Sequence, residues 1–327
     1  MSTVPDIYAT PRHVTSVEDC WFYHTLDVPG FGTIPGEWDL RGAVDEYLGG
    51  VAWAGKRVLE LGTASGFLCF EIEARGADVV AFDQAPHLAP DLLPLATFHE
   101  LGTLTRYLAG FMEKLRNSYW LCHRLRGSRA NVVYGDIYNL PAGIGPVDVA
   151  TFGCILLHLR DPFLALANAA RFARETIVVT DVFHQNEWDG RVLGAEFLPV
   201  PAAPVAPPAP PLTIAARARR KLKRKLFGTV PVAVPVPAPV LGPPTSVPAM
   251  VFLPDPTDGT LTGRMNSWWQ FSPAVIQRFL GVLGFGDSKV TTHTQTFQKE
   301  HRVRLFTVVA HRTAPVPERT DGPYPWY

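Results

Sequence analysis

Residues 56–83 read KRVLELGTASGFLCFEIEARGADVVAFD, and the order of residue types within them decides the fold. Lys56–Leu61 is a short, largely apolar strand. Gly62–Gly66 is a turn bracketed by glycines. Phe67–Arg75 carries its apolar residues at helical spacing, Gly76 stops that helix, and Asp78–Phe82 is a second buried strand ending at Asp83. Strand-length apolar runs alternating with helices predict a parallel sheet covered on both faces.

The same rhythm extends outward from this stretch. Strands are expected at 131–134, 147–152 and 176–181, with a helix over 162–173 opened by Asp161-Pro162. Residues 84–129 read as an insertion, helical over 101–126. Near the end, a helix over 273–283 precedes two strands, roughly 287–297 and 302–311, joined by a tight turn at 298–300. The predicted fold class is therefore α/β, a Rossmann-like doubly wound sheet with a terminal antiparallel hairpin. Residues 12–40 are aromatic and turn-rich and read as an N-terminal lid, with a short helix over 37–49. From Pro199 to Pro248 there are 14 prolines, a composition that favours extended chain and cannot form a helix or a central strand. The expected organisation is an extension over 1–50, a core over 51–182 and 251–312, a Pro-rich and partly basic insertion over 183–250, and a tail over 313–327.

The turn carries the chemistry. Its pattern is E-x-G-x-x-x-G, from Glu60 through Gly62 to Gly66, and Asp83 follows Glu60 by 23 residues at the next strand end. Gly62 lets the chain leave the strand sharply and lets a ligand approach the backbone, and Gly66 gives tight passage into the helix. A carboxylate at Asp83 can accept from both hydroxyls of a ribose. A plain βα turn explains the two glycines but not two carboxylates at strand ends, where open α/β sheets bind ligands. Glu60 would repel a pyrophosphate, whereas its charge suits a ligand with an ammonium and a sulfonium. This favours S-adenosylmethionine over NAD as cofactor.

Two histidines are candidate catalytic residues. His158, just past the fourth strand, can take a proton from an acceptor hydroxyl or amine, or can be a packing histidine at a helix start. His24, in FYHTLD, can face the substrate from the lid or lie on the surface beside aromatics. Trp268 and Trp269 are adjacent and cannot both point the same way on a strand, so one is expected in the core. No residue set has metal-ligand spacing.

The stretch 57–83 resembles the cofactor-binding region of class I methyltransferases. FYHTLDVPG, GEWDLRG, TFGCILLHLRDPFLALANAAR and NSWWQFSPAVIQRFLGVLGF resemble, more narrowly, a group related to the tRNA wobble-uridine carboxymethyl- and methyltransferases. The resemblance implies a seven-stranded sheet whose last strand is antiparallel. It implies that Glu60, Gly62, Thr63 and Gly66 line the methionine part of the cofactor and that Asp83, with Gln84 beside it, holds the ribose. It also implies that Asp136 and Ile137 flank the adenine, and that Gly153 and Cys154 lie under the sulfonium. One departure stands out: members that use carboxylated S-adenosylmethionine carry Tyr before the His of the HL block, and this chain has Leu157. Plain methyl transfer is therefore expected, to an oxygen or nitrogen of a small molecule or glycan.

Composition bounds the alternatives. The chain has 327 residues, with Lys plus Arg at 30 and Asp plus Glu at 30, so there is no global attraction to nucleic acid. A local basic run over 217–225 keeps RNA open as an acceptor. An NAD(P)-linked oxidoreductase and a non-catalytic methyltransferase-like interaction domain are the remaining readings, and intact Glu60, Gly62, Gly66 and Asp83 argue against a dead site. Four cysteines without CxxC spacing, no signal pattern over 1–11 and no long apolar window lead to the expectation of a cytoplasmic protein with free thiols.

Overall fold

The central strand is apolar on both sides because helices cover both faces of its sheet. In the computed structural model the described residues are 7–89, 91–92, 101–183, 248–253 and 267–315. All of them belong to one compact unit that runs over 1–184 and 243–327. The Pro-rich stretch and its basic run over 217–225 lie outside the described residues.

Strands β1 (Leu26–Val28), β2 (Gly32–Ile34) and β3 (Trp38–Asp39) come from the N-terminal extension, followed by a 3-10 turn at Arg41–Ala43 and the one-turn helix α1 (Val44–Tyr47). The helical part is shorter than the 37–49 expected. The core begins with β4 (Arg57–Leu61), α2 (Phe67–Ala74) and β5 (Asp78–Gln84), then α3 (Leu101–Arg126) and β6 (Asn131–Gly135). It continues with β7 (Val147–Gly153), α4 (Pro162–Ala170) and β8 (Ala173–Val182). The short strands β9 (Met250–Phe252) and β10 (Trp269–Phe271) pair with each other, and α5 (Pro273–Val282) leads to β11 (Asp287–Phe297) and β12 (His301–His311). Ser272 and Asp161 cap α5 and α4 by accepting from Val275 N and Leu164 N, each with Pro at the first helical position.

The large sheet has the order β3-β11-β12-β8-β7-β4-β5-β6. β8, β7, β4, β5 and β6 are parallel, and β12 is antiparallel to both its neighbours. The expected seven strands and terminal hairpin are present. The count is corrected to eight, because Trp38 and Asp39 pair with Phe297 and Thr296 at the edge of β11. The reason is local: β11 runs 11 residues, and its last two offer an open edge on which the Trp38 ring packs, tilted, against Phe297 at 4.7 Å. The reading of 84–129 as an insertion is also refined. Its helix α3 is the crossover that joins parallel β5 to β6.

Strand alternation sorts the core into two layers. Leu59, Leu61, Val80, Phe82, Ala150 and Phe152 pack with α4 and α5. Val58, Val79, Ala81 and Val149 pack on the other face with α2, α3 and the N-terminal extension. The same alternation puts Glu60 and Thr151, direct partners across β4 and β7, on the second face at the carboxyl ends of their strands. Fully burying one such apolar side chain contributes about 1.5–3 kcal/mol, which fixes this register firmly.

Candidate functional site at the carboxyl ends of the strands

The turn between β4 and α2 is built from backbone that few residues can adopt. Gly62 and Gly66 have φ of +80° and +89°, and Ala64 between them has φ of +50°. A Cβ on Gly62 would lie 2.8 Å from the Ile155 side chain, and one on Gly66 would lie 2.5 Å from Phe70 and 2.7 Å from Tyr119. The turn is tied to β5, with Gly62 N donating to Phe82 O at 2.8 Å and Ala64 N donating to Asp83 Oδ2 at 2.9 Å. Asp83 also accepts from Gln84 N at 2.7 Å. Its burial raises its pKa, opposed by those two backbone bonds and by the charge of Arg116 on α3.

Glu60 is the anomaly of the site. It is 1% exposed on the central strand, and its Oε2 has no hydrogen-bond partner among the described residues. Burial pushes its pKa up to about 8, opposed by a hydrogen bond from Thr63 and aided by the Asp83 charge. The Thr63 hydroxyl beside it bonds this carboxyl, and the Thr151 hydroxyl is buried without a partner among the described residues. An unpaired buried polar group costs about 1–3 kcal/mol, so a carboxyl oxygen and a hydroxyl left this way around one strand tip need a reason. A bound cation beside Glu60 and a ligand donating to it supply one. The residues thus fit a group carrying positive charge and misfit a pyrophosphate.

The N-terminal extension starts near the amino ends of the strands and runs to this end of the sheet. Ala9 N donates to Val132 O in β6, Trp21 N donates to Lys114 O in α3, and Trp38 and Asp39 pair with β11. Between these anchors His24 passes over the turn. Its backbone N donates to Ser65 Oγ at 3.2 Å, and its ring lies 5.8 Å from Phe67. His24 is therefore buried rather than superficial, burial lowers its pKa to about 3, and its Nδ1 has no partner among the described residues.

Beside β4, the tips of β7 and β8 carry a second group of polar residues. Cys154 has φ of +49° and donates its backbone N to Thr180 O at 2.8 Å. A Cβ on Gly153 would meet Leu68 at 2.8 Å and the Tyr47 hydroxyl at 2.9 Å. Asp181, 3% exposed, accepts from Val182 N at 2.7 Å through one oxygen and leaves the other without a partner. Its burial raises its pKa to about 7, and its charge pushes the Cys154, Tyr47 and Tyr23 protons further toward retention, on top of their own burial.

Of the residues expected from sequence, Glu60, Gly62, Thr63, Gly66 and Asp83 form one continuous cradle, with Gly153 on the adjacent strand and His24 above. Gln84 and Gly135 are register partners, which brings Gln84 beside the Asp136-Ile137 turn. Gln84 directs its amide to the carbonyls of Leu88 and Ala89, and Asp136 is exposed and accepts from Tyr138 N at 2.9 Å as a turn residue. Ile137 packs against the first core layer. His158 is half-buried in a 3-10 turn at Leu156–His158, beyond Ile155. Trp268 is buried and Trp269 half-buried, and their ring nitrogens donate to Asp91 O and Leu159 O. Sequence reasoning missed Ser65, Thr151, Tyr47 and Asp181. Asp181 was findable, since TIVVTD ends a buried strand in a carboxylate just as DVVAFD does.

No protein-family model matches this chain, and no curated protein does. Among solved structures, the N-terminal domain of EvdMO1, crystallised with SAH bound, is 16% identical over 91% of this chain and 93% of that one, with a TM-score of 0.48. Magnesium protoporphyrin IX methyltransferase from Synechocystis PCC 6803, with bound SAH, is 12% identical over 84% and 82%, with a TM-score of 0.40. The 1,6-didemethyltoxoflavin-N1-methyltransferase from Burkholderia thailandensis is 12% identical over 84% and 76%, with a TM-score of 0.39.

Proposed function

We propose that this chain transfers a methyl group from S-adenosylmethionine to an oxygen or nitrogen of a small molecule or glycan. The observation that carries this reading is Glu60, a buried carboxyl with one unpartnered oxygen at the tip of the central strand, beside a turn where a side chain does not fit. A protein either neutralises such a group or gives it a cation. Glu60 would take the ammonium, with the Thr63 hydroxyl beside it. Asp83 would hold the ribose hydroxyls on lone pairs left after Ala64 N and Gln84 N. Gln84, Asp136 and Ile137 would flank the adenine, and Gly153 and Cys154 would lie under the sulfonium. Ile155 must swing off Gly62 to admit the ligand.

When bound, S-adenosylmethionine supplies a methyl group already activated by its sulfonium. The chain's own work is to orient two reactants and exclude water. The extension over 21–39 covers the site, and burial makes His24 too weak a base to take the proton, so it positions rather than abstracts. Asp181 is the proton acceptor for an acceptor hydroxyl or amine, because it has an open oxygen and a pKa near neutrality. His158 is the second candidate for that role. The likeness to the wobble-uridine group, together with the basic run over 217–225, makes RNA the competing acceptor, and Leu157 disfavours carboxymethyl transfer.

Methyl-labelled S-adenosylmethionine, offered with a small-molecule extract, an oligosaccharide mixture and tRNA in separate arms, tests this reading. Label is expected on a small molecule or glycan. Asp181→Asn is expected to lower kcat at least tenfold with cofactor affinity unchanged, and to abolish the rise in rate with pH through about 7. Label on tRNA alone would move the acceptor to RNA. Failure to bind the cofactor, with NADH bound instead, would end the reading.

A further inference from the structure

The fold has a further concavity away from the carboxyl ends of the strands. A cavity of about 600 Å³ opens at the opposite end of the sheet, where β4, β7, β8 and β11 begin and β12 ends. Lys56 at its wall lies four residue steps along the chain from Glu60, about 13 Å. Its volume lies within the range of about 300–1,000 Å³ that small-molecule sites occupy.

The charge of its lining is one-sided. Lys56, Arg174, Lys289 and Arg312 face a single carboxylate, Glu175, and that carboxylate is taken by Lys56 at 2.6 Å. Arg174 and Lys289 are exposed, with no ion-pair partner among the described residues. Arg312 is fixed: it donates to the carbonyls of Ala170, Ala173 and Ala314 and lies 4.1 Å from the Phe285 ring. Its charge has no carboxylate beside it, and its desolvation weakens its hold on its proton. A chain with a formal net charge of zero thus collects a local excess of about three positive charges in one concave site.

Two further features suit a bound ligand. The Thr291 hydroxyl, in the wall, is buried without a partner among the described residues. His311 engages Thr176 Oγ1 through Nδ1 at 3.0 Å, which fixes its ring and leaves Nε2 for other contacts. The floor is apolar, from Val149 and Val309. Gly49 packs so close to Val309 that a Cβ there would lie at 2.3 Å, while a Cβ on Gly50 would meet nothing within 4 Å. Paired cations above an apolar floor with one orphan hydroxyl make a site for a compact phosphorylated metabolite. An RNA chain tracks an open basic groove or face, whereas this site is a concavity of single-ligand size.

We infer that the cavity at the amino ends of β4, β7 and β8 is a second binding site, for a small phosphate-bearing molecule, separate from the site at Glu60. The test is calorimetric titration of the full chain with ribose 5-phosphate and with pyrophosphate, using ribose as the uncharged control. Pyrophosphate misfits the Glu60 site, and free ribose controls for any binding of the sugar at Asp83. Both probes are expected to bind and ribose not to. Arg174→Glu with Lys289→Glu, two exposed positions without ion-pair partners, is expected to weaken both at least tenfold while leaving the titration with S-adenosylmethionine unchanged. Equal binding by wild type and double variant would overturn the inference, as would ribose binding as tightly as its phosphate. A steeply salt-dependent RNA affinity lost in the same variant, with no binding of either probe, would overturn it in favour of a nucleic-acid surface.

Discussion

Glu60 sits where its charge is costly, and a cationic ligand reverses that cost. Its native pKa of about 8 stands above the ordinary 4.5, so the native state holds the proton more tightly than the unfolded chain does. The stabilising effect is complete below about pH 4.5 and is lost as pH rises through about 8. Glu60→Gln cannot ionise, and is expected to flatten this dependence and to be the more stable protein at pH 9, by at most about 5 kcal/mol. Thermal denaturation from pH 5 to pH 9 measures it. Binding runs the other way. A cation wants the ionised carboxylate, so affinity for S-adenosylmethionine should rise up to tenfold per pH unit below about 8 and level off above it. The Gln variant should bind weakly at every pH with no such slope. Identical slopes in both proteins would remove Glu60 from the site. The glycines and both strand-end carboxylates of this cradle were legible in the sequence, because each answers a local demand: a left-handed turn, or a charge placed where open sheets bind ligands. Thr151 and Ser65 were not singled out. Their importance lies in lacking a partner or in touching His24 from 41 residues away, and no local pattern records that.

At the scale of elements, the β4–α2 turn is held by sterics as well as by φ. Gly62→Ala imposes a left-handed φ on alanine, costing about 1 kcal/mol, and also drives its Cβ into Ile155 at 2.8 Å. Pairing it with Ile155→Ala should relieve the clash but not the backbone strain. The double variant should therefore recover part of the cofactor affinity that the single variant loses. No recovery would mean that Ile155 is not what guards the turn. The core strands and helices were legible from alternating apolar runs, glycine stops and Pro caps. β3 was not, since two residues at Trp38–Asp39 carry no period and take their pairing from the overhanging end of β11. The helix at 101–126 was legible as a helix, but its role as a β5-to-β6 crossover depends on strand order, which composition does not encode.

At the scale of the molecule, the eight described strands of the sheet and the described helices covering it lie outside 185–242. Replacing 190–242 with a Gly/Ser linker should therefore preserve cofactor affinity within about twofold, and any loss of activity would then report on acceptor access. Neutralising 217–225 should leave small-molecule transfer unchanged. Charge is distributed unevenly over a chain that is neutral in sum, with buried carboxyls at the carboxyl ends of the strands and unpaired cations at the amino ends. One measurement tests the central claim most directly: calorimetric titration of wild type and Asp83→Ala with S-adenosylmethionine, its demethylated product and NADH. The account predicts binding of the first two in the micromolar range, about −8 kcal/mol, lost in a variant that remains folded, and no binding of NADH. NADH binding to wild type, or an Asp83→Ala protein that binds S-adenosylmethionine unchanged, would contradict it.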